Sequence, residues 1–477
     1  MNKGNAWKEL MAIRGKDVEE GEVTIIKSKP LYKTPFKMGE VTAEIVAAKA
    51  VAANDLWELK TGRRQKITVE EKYAAALNLQ GTKQTKVKNA DGVYEAIPDS
   101  EEFAAMVSVT QPWETADGRY YLPHFNLPHL KERVLNVLKC DYTVEGVKNA
   151  VKQWNSEDLD RAIAEANASG GIVYTSEEWA QHPHGKLLAS KPIVEITKIG
   201  DSEPEKLPEG GDQPLSGIRV LDMTRILAGP TCGIGLTEHG CDDLMVTAPH
   251  LPQVPAFVRD TSHGKRSCFL DYKDPEQKET LKNLLKEADI FIEGYRPGSV
   301  KKNGFSPEEV MKLRPGIICV SVNCFGNEGE YGDRAGWDQV AQAVTGMCTI
   351  QGEAEGTGVP TLTPVFVCDF LTGFLGSYGA MLALARRAKE GGSYHVKVSL
   401  SKSAMLLERQ GLRDDYHDAP GGLTDEELEE YAVYDYDTAY GDLRTLGPVI
   451  KMSETMPKWN GTTPALGSSE PKWKERV

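Results

Sequence analysis

A chain of 477 residues is too long for one ordinary core, so two or three domains are expected. Its composition, 40% hydrophobic and 26% charged, is ordinary for a globular protein. The formal net charge of −14 excludes a general nucleic-acid binder, which needs a basic face against phosphates, but leaves room for a small anion held by a few local Lys and Arg.

Met1 to Glu19 mixes Lys with Glu and Asp and lacks an apolar h-region, so it does not read as a signal peptide. No run of 18 apolar residues suggests a membrane span, and the eight Cys include no CxxC pair. A cytoplasmic protein with reduced, mostly buried thiols is expected. Val41 to Trp57 reads as an Ala-rich helix and Arg64 to Val69 as a strand. Lys131 to Cys140 and Glu157 to Ala168 read as helices, and Val173 to Glu178 as a strand running into a helix capped by Ser176. Ile199 to Pro214 lacks periodicity and reads as a linker, dividing the chain into 1–205 and 206–477.

Beyond the linker, short apolar runs alternate with helices. Strands are expected at Gly217 to Asp222, Asp243 to Thr247, Ser267 to Asp271, Ile290 to Ile292 and Gly316 to Val322. Helices are expected at Leu227 to His239, Pro275 to Ala288 and Pro307 to Lys312. This pattern indicates an α/β fold, a doubly wound parallel sheet, accompanied by a second, smaller α+β domain.

Asp369 follows the apolar segment Pro364 to Cys368 and precedes an Ala/Gly/Leu-rich helix through Gly376 to Ala388. A carboxylate there is either an N-cap or a reactive group, since burial is costly for an unpaired charge. A repeat is also visible. Thr61 to Val69, after its Ala-rich helix, matches Gly391 to Ser399 after its own, and helices through Ala74 to Leu77 and Ser403 to Leu406 follow. The spacing places Gly39 opposite Asp369, with Glu40 beside it, so the first copy has no equivalent Asp.

Five ordered segments resemble the class III CoA-transferases, the family of formyl-CoA transferase, carnitine CoA-transferase and α-methylacyl-CoA racemase. They are Pro214 to Pro230, Gly264 to Asp271, Ala288 to Gly298, Ala335 to Ala343 and the Asp369 segment. Thr115 to Gly200 is similar to the family's smaller domain, and Pro448 to Glu470 to its tail, as if two incomplete copies were fused. The resemblance implies that Asp369 attacks an acyl-CoA thioester, and that Asp338 is the acid following the aromatic Trp337. It places CoA against Arg225, Ile226, Leu227 and Ala228, against Leu270 and Lys273, against Gly294 and Tyr295, and against Lys302 and Trp337. The implied partners are an acyl-CoA, a carboxylic acid and a second copy of the chain in a homodimer. No metal and no permanently bound cofactor are expected.

Two departures stand out. Racemases of the family carry His where this chain has Trp337, which cannot shuttle a proton, so transfer is favoured over isomerisation. Met245-Val246-Thr247-Ala248 replaces the family's Lys-x-Glu and basic turn, which leaves a non-catalytic CoA-binding or assembly subunit as a further alternative. His182-Pro183-His184 lacks the Cys, Asp or Glu needed for a metal site and reads as a surface turn, while His124 and His129 read as packing residues.

Overall fold

The computed structural model describes residues 5–79, 84–296 and 298–476. Its main feature is a seven-stranded sheet. From one edge, the strands are Arg266–Phe269, Asp242–Thr247, Arg219–Met223, Ile290–Glu293, Ile318–Asn323, Ser393–Ser399 and Glu195–Gly200. Six are mutually parallel, and Glu195–Gly200 closes the other edge antiparallel to Ser393–Ser399. Runs such as Ile290–Glu293 are buried along their whole length, as a parallel strand covered on both faces requires. In chain order the six parallel strands stand 3-2-1-4-5-6, so strand order reverses between Arg219–Met223 and Ile290–Glu293. The crevice beyond the carboxyl ends of two such strands is where open α/β sheets bind ligands.

The expected doubly wound sheet is present, and its predicted strands and helices form within two residues of their places. The antiparallel edge strand Glu195–Gly200 is an addition, and it takes in Ile199 and Gly200, where the linker pattern begins. A smaller α+β unit packs its own core around Tyr121, Phe125, Val134, Val147 and Leu159. Its sheet joins Trp113–Glu114, Tyr120–Pro123 and Gly170–Ile172. The strand expected at Val173 to Glu178 is not formed; Gly170–Ile172 ends sooner, and Thr175 rather than Ser176 caps the helix Ser176–Gln181 through a capping box with Glu178.

The two copies of the repeat meet in space. Helix Met38–Thr61 joins the parallel strands Val23–Ile26 and Ile67–Glu70, and Ile450–Met452 adds antiparallel to the latter. Helix Val367–Glu390 joins Ile318–Asn323 to Ser393–Ser399, to which Glu195–Gly200 adds in the same sense. Both helices have 24 residues, and their N-caps share an unusual backbone, φ −75° and ψ 54° at Lys37 against φ −88° and ψ 56° at Phe366. Helix starts and strand ends are displaced by 329 residues (367 − 38 and 399 − 70). Glu40, not Gly39, therefore stands opposite Asp369. The difference arises because the residues between helix and strand align one place differently from the elements they join.

Each copy takes its antiparallel strand from the far end of the other. The seam at 205/206 lies between Glu195–Gly200 and Arg219–Met223, and strands from either side of it enter sheets built by the other side. A buried ion pair between Lys49 and Glu238 adds a polar tie between the halves. Helix Val367–Glu390 is long and apolar enough to cross a membrane, but its most apolar stretch is wholly buried within the protein. Its apolarity is used in the core, where Phe370, Leu371, Phe374, Leu375 and Tyr378 pack with the Ala-rich face of Met38–Thr61.

Candidate active site

At the reversal point of the sheet lies a cavity of about 140 Å³. Its floor is the loop after the strand Arg219–Met223. Arg225, Ile226, Leu227 and Ala228 all line it. Ile226 holds φ at +77°, a region that β-branched residues avoid, so this loop is strained where it meets the cavity. The helix Ala228–Thr237 that follows has no side-chain cap, which leaves the amides of its first turn available to a ligand. Gly373 lets this helix approach Val367–Glu390: a Cβ there would lie 2.5 Å from Thr231 Cβ and 2.7 Å from the Ala228 carbonyl.

Asp369 lines the same cavity from the first turn of Val367–Glu390. It is the third helical residue and not the N-cap, which is Phe366. Capping falls instead to Asp338, whose Oδ2 accepts the Asp369 N–H at 3.0 Å while Oδ1 accepts Gln342 Nε2 at 2.5 Å. Asp338 is 1% exposed, lies behind the cavity wall and does not line it. Burial pushes its carboxyl up to about 6, and the donated hydrogen bonds hold it from rising further. Asp369 is raised well above the usual carboxylate range, first by burial and then by the charge of Asp338. No protein group among the described residues donates to the Asp369 carboxylate, so no such bond draws electron density from it.

Trp337, the N-cap residue of helix Asp338–Thr345, forms another wall. Its indole stacks on His124 at 4.6 Å with ring planes 15° apart, and His124 Nε2 meets Gln339 Oε1 at 3.2 Å. Burial pushes His124 down to about 3, so it stays neutral. His124 is the packing residue expected. His129 differs: it lines the cavity with Leu127 and Leu130, from the helix Pro128–Leu138 of the smaller unit. The site is thus closed by a segment nearly a hundred residues ahead of the sheet that forms its floor.

Gly294 and Tyr295, after the strand Ile290–Glu293, complete the lining with Arg296 and Arg334. Tyr295 also borders an adjoining crevice of about 20 Å³, and there the structure places Leu270 and Lys273 with Val246 and Ala248. Lys302 is exposed on the short helix Ser299–Lys302 and lines neither space. Sequence reading assigns no role to Arg296, which lies inside the segment Ala288 to Gly298, or to Arg334, which adjoins Ala335; a charged residue beside a Gly-aromatic pair is the available signal. His182 and His184 are not a surface turn. His182 stacks on Trp179 at 5.0 Å, and buried His184 meets the Phe325 carbonyl at 2.8 Å. No group of three or more potential metal ligands occurs among the described residues.

Comparison with known proteins agrees with this geometry. Residues 215–436 match CoA-transferase family III. An acyl-CoA transferase of Gibberella moniliformis is 29% identical over 494 aligned residues, covering 90% of this chain and 87% of that protein. The acetyl-coenzyme A transferase nodX of Hypoxylon pulicicidum is 28% identical, covering 82% of this chain and 74% of its own length. A formyl-CoA:oxalate CoA-transferase of Afipia carboxidovorans is 32% identical over 48% of this chain, which spans about half (55%) of that relative. The matched segment contains Asp369, Asp338 and the strained loop, and residues 215–436 are those of a CoA-transferase family III domain, as in enzymes of that class.

Proposed function

We propose that this protein moves CoA from an acyl-CoA thioester to a carboxylic acid, with Asp369 as the nucleophile. The observation that carries this reading is a buried carboxylate without a donor of its own, facing a cavity at the sheet's reversal point. The ionised Asp369 attacks the thioester carbonyl, the C–S bond breaks, and a mixed anhydride and CoA thiolate result. The thiolate attacks the aspartyl carbonyl, giving an aspartyl-CoA thioester and releasing the first carboxylic acid as its anion. An incoming carboxylate displaces the thiolate to form a second anhydride. The thiolate then attacks the new acyl carbonyl, which frees the Asp369 carboxylate. Each tetrahedral oxyanion needs donors, and the uncapped amides near Ala228 are suited to that role.

Asp338 orients the nucleophile by holding its backbone amide, and its charge keeps Asp369 basic. Trp337, fixed by His124, excludes water from the anhydride, which would otherwise hydrolyse. Incubation with a panel of acyl-CoAs, hydroxylamine trapping and mass spectrometry of the Asp369 peptide tests the reading. A hydroxamate at Asp369 is expected. An unmodified peptide with every donor, alongside CoA binding, would point to a non-catalytic CoA carrier. Deuterium uptake at the α-carbon without CoA exchange would point to isomerisation.

The exchanged antiparallel strands support a second proposal, that the paired arrangement expected of a homodimer is built within one chain from its two copies.

A further inference from the structure

A second cavity, of about 930 Å³, shares no lining residue with the reaction cavity. Helices Ser176–Gln181 and Pro183–Ala189 line it from the first half of the chain. Leu400–Glu408 and the end of Asp338–Thr345 line it from the second. Apolar side chains dominate, among them Trp179, Leu188, Ile193, Ile350, Met405 and Leu412. Size and lining are those of a small-molecule site, which is roughly 300–1,000 Å³ and mostly apolar. Its charged groups are not equally provided for. Lys402 is paired with Glu195 at 2.8 Å, Arg409 with Glu9 at 2.6 Å, and Lys191 with Glu328, while Lys186 is exposed to solvent. Glu408 is the exception, with no cation beside it among the described residues. Its Oε2 accepts from the Ser176 hydroxyl at 2.8 Å, and its Oε1 is buried with no hydrogen-bond partner. The Thr345 hydroxyl donates to the Ala341 carbonyl at 2.8 Å, so it has no proton for Glu408. A buried carboxylate oxygen without a donor is unfavourable, and a ligand that brings one relieves it.

The lining selects among ligand classes. An anion would add a like charge to Glu408, and the cations Lys402, Lys191 and Arg409 already have acidic partners. The indole N–H of Trp179 is directed to Met405 Sδ at 3.4 Å, so it offers an anion nothing either. A wholly apolar ligand would suit the walls and leave Glu408 unpaired. An ammonium group carries three donors, enough for the Glu408 carboxylate and the hydroxyl oxygens of Ser176 and Thr345. We propose that this cavity binds a primary amine with an apolar body, held by Glu408 as its counter-ion. The site is separate from the transfer reaction and does not depend on Asp369. Burial pushes the Glu408 carboxyl up to about 7, and the Ser176 hydroxyl opposes that rise. Glu177, on the helix of Ser176, adds a like charge. The Cys348 and Cys368 thiols, from two other helices, are pushed up by burial and stay neutral. Glu9 and Arg409 neutralise each other, and Lys402 turns to Glu195. Only ionised Glu408 holds an ammonium, so affinity rises with pH through about 7.

Calorimetric titration of the full chain with 2-phenylethylamine, 2-phenylethanol and 3-phenylpropanoate tests this without turnover. At pH 8 the amine is expected to bind about tenfold or more tighter than the alcohol, the scale of a charge-assisted hydrogen bond. Between pH 8 and pH 6 its affinity should fall about tenfold, as the ionised fraction of a group titrating near 7 does. Glu408→Gln should remove both the preference for the amine and its pH dependence, with thermal melts confirming the fold. Leu412→Lys, at a half-exposed lining position, places a like charge near the amine and should weaken it even if the first variant unfolds. Equal binding of amine and alcohol to the wild type overturns the proposal, as does amine binding that survives in Glu408→Gln. Tighter binding of the carboxylate overturns it too, by assigning the cavity to an anion. Sedimentation gives the last outcome: a dimer that Leu412→Lys dissociates assigns the cavity to a second copy and overturns the amine site.

Discussion

Asp369 and Asp338 are two buried carboxyl groups with different duties, and their surroundings set the division. Asp338 is hydrogen-bonded on both oxygens, whereas Asp369 faces an open cavity without a donor. Because burial and Asp338 both hold the proton on Asp369, activity needs a pH above the ordinary carboxylate range of roughly 4. The sign follows: kcat/KM rises with pH through the elevated value of Asp369 and is lost below it. Asp338→Asn removes the negative neighbour, so the acid limb of the profile should move to lower pH, while kcat falls because the amide of Asp369 loses its charged acceptor. A limb that stays in place in the pH–rate profile of this variant would separate Asp338 from the nucleophile. Asp369→Asn should abolish transfer and hydroxamate formation together, with the melting temperature kept or raised, since it removes a buried charge.

Helix contacts decide whether these residues meet. The loop carrying Ile226 is held against Val367–Glu390 only because Gly373 admits the Ala228 carbonyl and Thr231 at contact. Gly373→Ala has no strained backbone to relieve and inserts a methyl where backbone stands. It should cost about 1–3 kcal/mol by overpacking and push the loop away from Asp369. Denaturant unfolding and kcat read the two effects separately; a stable variant with normal kcat would show that the close approach is dispensable. Glu40 marks the other copy at the equivalent place in Met38–Thr61. There Arg413 grips the carboxylate at 3.1 and 3.2 Å, so the group is neutralised rather than left free. Equal helix geometry with different electrostatics distinguishes a carboxylate held by an arginine from one left without a donor.

For the whole molecule the decisive feature is the exchange of strands. Glu195–Gly200, from ahead of the seam, completes the sheet of the second half, and Ile450–Met452, from the end of the chain, completes that of the first. The residues between them are largely exposed from Asp201 to Asp212. A protease site engineered at Glu209-Gly210 and cut in the folded protein should therefore leave both pieces co-eluting in size exclusion and active. Separation on cutting would mean that the paired strands contribute little. Sedimentation of the uncut chain distinguishes the internal pair from a homodimer.

Much of this was legible beforehand, and the reasons are physical. Buried parallel strands must be continuous apolar runs, so the sheet from Arg219–Met223 to Ile318–Asn323 shows itself in local pattern. Asp369, Trp337 and the Arg225 loop lie within dense family motifs next to such runs. Lys302 stands outside both spaces, and a Lys four residues beyond the segment ending at Gly298 carries no sign of which way its short helix turns. His129 and the swapped strands could not be read at all, since each acquires its role from a partner more than ninety residues away. The amino-acid sequence by itself determined the family, the α/β sheet and the candidate nucleophile, because periodicity and motif are local. Only the tertiary structure decided that Asp338 caps the helix of Asp369, that Glu40 is the counterpart of Asp369, and that the smaller unit brings His129 to the cavity, because those depend on which surfaces bury one another.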